Sequence, residues 1–223
     1  MGRKTRIALK AGIWTACLLP LAFLIYWAAI GDLTVNPIDF ITRTLGDWTM
    51  RILLASLALT PLRILTGAAW PVACRRLLGL FAFFYAALHF GVWIVLDHFF
   101  DWPEMLADIL KRRYITVGML ALVLLLPLAA TSTNGMVRRL GGKTWQRLHR
   151  LVYCAGVLAV LHYLWLAKVG FIAPYVYAAI LTILLGVRLW GAFRRRLRES
   201  RGRPAMAQNV TASGARPLRT PPS

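Results

Sequence analysis

The chain has 223 residues, is 59% hydrophobic and carries a formal net charge of +19. Apolar content this high, gathered into long runs, excludes an ordinary soluble domain. The runs are continuously apolar rather than alternating, which excludes a membrane β-barrel and predicts an all-α integral membrane protein.

Six runs stand out in chain order, at about 10–30, 48–66, 76–96, 114–131, 149–167 and 172–190. Each is about long enough to cross a ~30 Å hydrocarbon core as a helix, which predicts a six-transmembrane-helix bundle. The first follows RKTR like a signal peptide, but it is too long for an h-region and no A-x-A site follows, so it is read as retained. The external connection 31–47 contains NPIDF, where Pro37 discourages helix at Asn36. Pro20, Pro61 and Pro127 lie inside spans and are expected to kink them. The external connection 97–113, DHFFDWPEMLADILKRR, suits a short interfacial helix with Phe99 and Trp102 at headgroup level. His98, beside Asp97, is expected to be an exposed loop histidine. A single domain is expected over 1–198, followed by a disordered tail over 199–223 rich in Arg, Pro, Ser and Gly.

The basic excess follows the membrane, not nucleic acid. With both termini cytoplasmic, 21 of the 27 Lys and Arg fall on the cytoplasmic side, and every acid except Glu199 falls outside. This is the positive-inside pattern. Cys17, Cys74 and Cys154 form neither CxxC nor CxxCH, so no disulfide framework or covalent haem is indicated. Neither GxGxxG nor GxxxxGK[ST] occurs, and the stretch after the sixth span is too short for a nucleotide-binding domain. Electrons, if the chain carries them, come from elsewhere.

Three histidines sit on the spans. His89 lies thirteen residues beyond Arg76 on the third, and His162 thirteen beyond His149 on the fifth. At 1.5 Å per residue both are about 20 Å from the cytoplasmic start and level with one another. Two imidazoles at one depth on two helices suit a bis-histidine b-type haem between the third and fifth helices. Interhelical hydrogen bonding or a proton relay is the alternative. Phe81, Phe84, Tyr85 and Phe90 offer aromatic walls to such a group. His149 sits at the cytoplasmic interface, about 140° around an ideal helix from His162. It suits either a structural role or contact with a second haem or a flavin. Arg75, Arg76, Arg138, Arg139 and Arg147 near it suit a flavin phosphate or haem propionates, and equally anionic lipid. Outside, Asp97, Asp101, Glu104 and Asp108 form a candidate docking face for a protein partner.

NPIDFITRTLGDW, TPLR at 60–63, RRLLGLFAFFYAALHF, RRYITVG at 112–118, PLAATSTN and WQRLHRLVY…LHYLW resemble the MsrQ (YedZ) family. The resemblance runs from about residue 9 to 190, and the wider superfamily is the ferric reductase-like transmembrane domain. It implies an inner-membrane b-type cytochrome, with one or two haems and FMN. It implies electron transfer from the quinone pool, or a flavin reductase, to the periplasmic molybdopterin enzyme MsrP, which repairs oxidised methionines. The chain would then be an electron-transfer subunit and not the catalytic reductase. His89, His149 and His162 fall on the family's haem-associated histidines. Larger superfamily members carry four histidines on the corresponding helices and a cytoplasmic flavin domain. Two rivals remain: a stand-alone cytochrome reducing ferric iron or quinone, and a small proton-coupled permease.

Overall fold

A computed structural model describes residues 2–68, 70–167 and 171–213, excepting the side chains of 72 and 198–213. The described residues contain helices, turns and bends and no strand. Helix α1 spans Arg3–Ala29 and α2 spans Pro37–Thr66. Helix α2 therefore starts well before the expected residue 48 and absorbs much of the expected 31–47 connection. The reason is local. Asn36 stays non-helical (φ −117°, ψ 87°) and its side chain accepts the Asp39 N–H at 3.2 Å, while Pro37 takes the first helical position. There proline's missing N–H is harmless, so it starts the helix instead of breaking it. At the other end Gly67, at φ 72°, closes α2 in the left-handed conformation.

Helix α3 spans Trp70–Val92 and runs into a π-helical turn at Trp93–Asp97. The expected connection 97–113 does contain a helix, α4 (Trp102–Lys111), capped by Asp101 accepting the Glu104 N–H at 3.0 Å. Trp102 and Phe99 are exposed beside it. Helix α5 spans Arg113–Ala130, and the short α6 (Asn134–Leu140) and α7 (Gly142–Leu148) lead to α8 (Leu151–Leu166). The fifth span is thus not one ideal helix: it breaks at His149 and Arg150, so the 140° offset expected between His149 and His162 does not apply. Helix α9 runs from Ala173 to Ser213. Its backbone covers the start of the expected tail, and 214–223 lie outside the described residues.

Among the described residues, six helical segments are long and apolar enough to cross a membrane: Arg3–Ala29, Pro37–Thr66, Ala73–Asp97, Arg113–Ala130, Gly142–Leu166 and Ala173–Leu197. Large apolar side chains such as Ile25, Val123, Leu126 and Ile183 face outward, as lipid-facing residues do. The chain divides into two compact units, Met1–Leu184 and Leu185–Ser223. In the first, the core gathers Leu45, Leu53, Ala82, Tyr85, Leu125 and Ala155. Its most extensive pairings are α2 with α3 and α5 with α8. In the second, the Arg194 guanidinium lies 4.6 Å over the Trp190 ring.

Candidate functional site

Each of those two helix pairs carries one histidine and one backbone group that holds it. His89 on α3 donates its Nδ1–H to the Thr42 carbonyl of α2 at 2.9 Å. His162 on α8 donates its Nδ1–H to the Tyr114 carbonyl of α5 at 2.7 Å. A carbonyl only accepts, so Nδ1 carries the proton in both rings and Nε2 keeps its lone pair. The two rings meet between the pairs, with centroids 6.3 Å apart and planes at 80°.

These features fit a bis-histidine haem. Metal–imidazole bonds are about 2 Å long, and the ring centre lies roughly 1 Å further, so two rings on one metal stand about 6 Å apart. Both Nε2 atoms are the unprotonated ones, as ligation requires. A carbonyl behind each ring is the usual partner that sets the tautomer of a metal-ligating histidine.

The surroundings of His149 are built differently. His149 caps α7, and its ring stacks on Trp145 with centroids 3.8 Å apart. Its Nε2 lies 3.2 Å from Thr131 Oγ1, whose own proton goes to the Pro127 carbonyl at 2.6 Å. The hydroxyl thus accepts from His149, and Nε2 carries the proton. Trp145 Nε1–H donates to the Thr131 carbonyl at 2.9 Å, closing the cluster. Arg75 and Arg76 are half-buried and their charges act on His149. Arg75 reaches the Thr60 hydroxyl at 3.3 Å. Arg76 donates to Asn134 Oδ1 at 2.9 Å and to the Ser132 carbonyl. Among the described residues neither arginine has a carboxylate partner, so this region keeps uncompensated positive charge suited to an anionic group.

A family model described as the ferric reductase like transmembrane component matches residues 11–160. A Rhodospirillum rubrum protein is 57% identical over 189 residues, covering 84% of this chain and 90% of its own length. A Ralstonia nicotianae protein is 46% identical over 218 residues, covering 97% and 96%. A Herminiimonas arsenicoxydans protein is 52% identical over 190 residues, covering 84% and 87%. Each carries the name protein-methionine-sulfoxide reductase heme-binding subunit MsrQ. The chain belongs to the MsrQ family. With its six apolar helices it is a multi-pass membrane protein, and its bacterial MsrQ relatives place it in the inner membrane.

Other expected site residues of this MsrQ-family chain fall elsewhere. Tyr85 is fully buried and donates its hydroxyl to the Cys17 carbonyl of α1 at 2.6 Å, so it ties α1 to α3. Phe81 packs edge-on against Trp14 of α1 at 4.8 Å, and Phe90 stacks on Trp93 at 5.8 Å. Arg147, like Arg138 and Arg139, is exposed. His98 corrects an expectation outright: it is 7% exposed, not an open loop residue. It lies against Trp93 with ring centroids 4.5 Å apart, and its Nε2 is 3.4 Å from Asp108 Oδ2. Asp108 also pairs with Arg112 at 3.2 Å, so it does not belong to an open acidic face.

Several residues of the candidate site escape a reading by side-chain chemistry. Thr42 and Tyr114 contribute backbone carbonyls, Gly46 and Gly118 contribute space, and Thr131 and Trp145 hold His149. The available signal was spacing. Thr42–Gly46 in TRTLG and Tyr114–Gly118 in YITVG both place a glycine one helical turn after the residue whose carbonyl accepts.

Proposed function

We propose that this chain is a b-type cytochrome, the haem-binding membrane subunit of a protein-methionine-sulfoxide reductase system. The observation that carries the reading is the His89–His162 pair, with both Nδ1–H groups held by backbone carbonyls and both Nε2 atoms left for iron. Such a haem supplies reversible one-electron storage inside a low-dielectric layer that blocks free electron passage. The protein's part is to hold the iron through His89 and His162, on elements whose tautomers are set by Thr42 and Tyr114. The bias of Lys and Arg toward one set of connections supports cytoplasmic termini, with this pair nearer the external face, toward a soluble partner of the MsrP type. His149, Arg75 and Arg76 form the cytoplasmic side, where electrons arrive from quinol or a reduced flavin. There they serve a second haem or an FMN-linked site, with Arg147 at its rim and membrane lipid around it.

The test is a reduced-minus-oxidised spectrum of the purified full chain with its haem-to-protein ratio. A low-spin b-type spectrum at one or two haems per chain is expected. A colourless protein rejects the cytochrome reading in favour of a permease. The match to a ferric reductase like component favours a second reading, a stand-alone reductase of ferric iron or quinone. The two part on reoxidation: the reduced cytochrome should be reoxidised rapidly by the oxidised soluble reductase, and only slowly by a ferric chelate.

A further inference from the structure

We infer that Gly46 and Gly118 are positioning residues that seat the two histidine rings, and that the two seats together set the angle between the ring planes. The inference rests on the haem reading above and deepens it. In a helix the carbonyl of residue i accepts the N–H of residue i+4, and its second lone pair stays open at the side. The side chain of residue i+4 leans back over that same region. An imidazole can therefore reach the carbonyl laterally only where residue i+4 leaves room. Both seats meet this condition with glycine. A Cβ at Gly46 would stand 3.3 Å from His89 Cε1 and 3.4 Å from its Nδ1. A Cβ at Gly118 would stand 2.7 Å from His162 Nδ1, 3.0 Å from Cε1 and 3.2 Å from Cγ. Neither seat is a generic property of helical glycine here, because Gly12 and Gly91 would meet nothing within 4 Å.

Two consequences follow for a metal held between the rings. The Nδ1–H···O=C bond makes each ring a stronger donor at Nε2 and favours the oxidised iron. The seats also hold the ring planes at 80°. Near-perpendicular axial imidazoles leave two iron d orbitals almost equal in energy. Low-spin ferric haem then gives one dominant large-g electron paramagnetic resonance feature, where parallel rings give a three-line rhombic spectrum. The contact at Gly118 is the tighter, so its loss should act more strongly than that at Gly46.

The experiment uses the full-length, haem-loaded protein in detergent, comparing Gly118→Ala, Gly46→Ala and Gly91→Ala by resonance spectrum and midpoint potential. The parent protein should show the large-g feature. Gly118→Ala should lose it, become rhombic or high-spin, and shift to higher potential as the Tyr114 bond breaks. Gly46→Ala should move the same way by less, and Gly91→Ala should match the parent. An unchanged Gly118→Ala spectrum and potential overturns the inference, as does an equal shift in Gly91→Ala or a rhombic parent spectrum. If Gly118→Ala does not accumulate in the membrane, Gly46→Ala decides: a shift supports the seat and no shift overturns it. His89→Ala and His162→Ala separate the two levels of argument. If both lose the low-spin haem while Gly118→Ala changes nothing, only the seat fails. If both keep it, the haem reading itself fails.

Discussion

His162 and His149 lie on the same crossing segment, yet their rings are held through opposite nitrogens. His162, like His89 facing it, donates Nδ1–H to a helix carbonyl and leaves Nε2 bare. His149 engages Nε2 with Thr131 and lies flat on Trp145. His89 and His162 thus keep the Nε2 lone pairs that the proposed haem would use. The His149 ring is held in place beside two arginines that have no carboxylate partner among the described residues. Residue type alone did not decide this. A backbone carbonyl fixes one tautomer, and a hydroxyl whose proton is already committed fixes the other.

The largest expected effect tests the outer half. His89→Ala or His162→Ala should abolish the low-spin spectrum of the outer haem, whereas His98→Ala should leave it. His98 is buried against Trp93 and Asp108 and not against either ligand. Retention of the spectrum in both ligand variants removes the basis of the comparison.

Next comes the inner half's charge. Arg76→Gln removes a cation that donates to Asn134 and the Ser132 carbonyl. Hydrogen bonds to charged groups are worth about 1.5–3 kcal/mol, and a half-exposed site belongs near the low end, so a loss of about 2 kcal/mol is expected. It would be read as a lower midpoint of unfolding in mixed detergent. Arg76→Lys keeps the charge but not the fork, and should fall between. Equal stability of all three proteins would mean that Arg76 anchors nothing.

A smaller effect tests the division of labour. His149→Ala should slow reduction of the outer haem by the donor, on the order of tenfold or about 1.4 kcal/mol in the barrier. It should leave that haem bound and its reoxidation by the soluble partner unchanged when it is reduced artificially. Loss of the outer haem in this variant would show that the two regions are not separable.

How far the sequence alone foretold this depends on the kind of information each feature uses. The six spans and the level placement of His89 and His162 were legible, because hydropathy and helix rise are local properties. The start of α2 was not. Asn36 is non-helical, as a following proline dictates, but Pro37 itself begins the helix with Asn36 as cap. The apolar run begins only near 48, so hydropathy leaves Thr42 and Gly46 in an expected connection, away from His89. The carbonyl seats could not be read from side-chain identity, since every residue has a carbonyl. Gly118 lies in RRYITVG, where the sequence alone shows no reason for glycine. The burial of His98 depended on a contact with Asp108 across a helix start. The position of His149 depended on a break in the span, and a purely apolar count does not register a break.

The smallest effect bears on an asymmetry between the two outer seats. Thr42 lies in the second turn of α2, behind a side-chain cap at Asn36, whereas Tyr114 is the second residue of α5, whose N-cap Arg112 makes no side-chain capping bond to a helix N–H. Removing the cap should therefore loosen the His89 seat and spare the His162 seat. Side-chain caps are worth about 1 kcal/mol, and the 3.2 Å bond from Asp39 N–H to Asn36 is long and exposed, so about 0.5–1 kcal/mol is expected for Asn36→Ala. In a chain of this size that is a fall of roughly 1–4 °C in thermal midpoint, followed by haem absorbance. Asn36→Asp keeps the acceptor and adds a negative charge at the positive end of the helix dipole, so it should match or exceed the parent. Identical midpoints for the two variants would show that the cap does not hold the start of α2. The early helix would then owe its stability to packing on α3, and both seats would depend on tertiary contact alone.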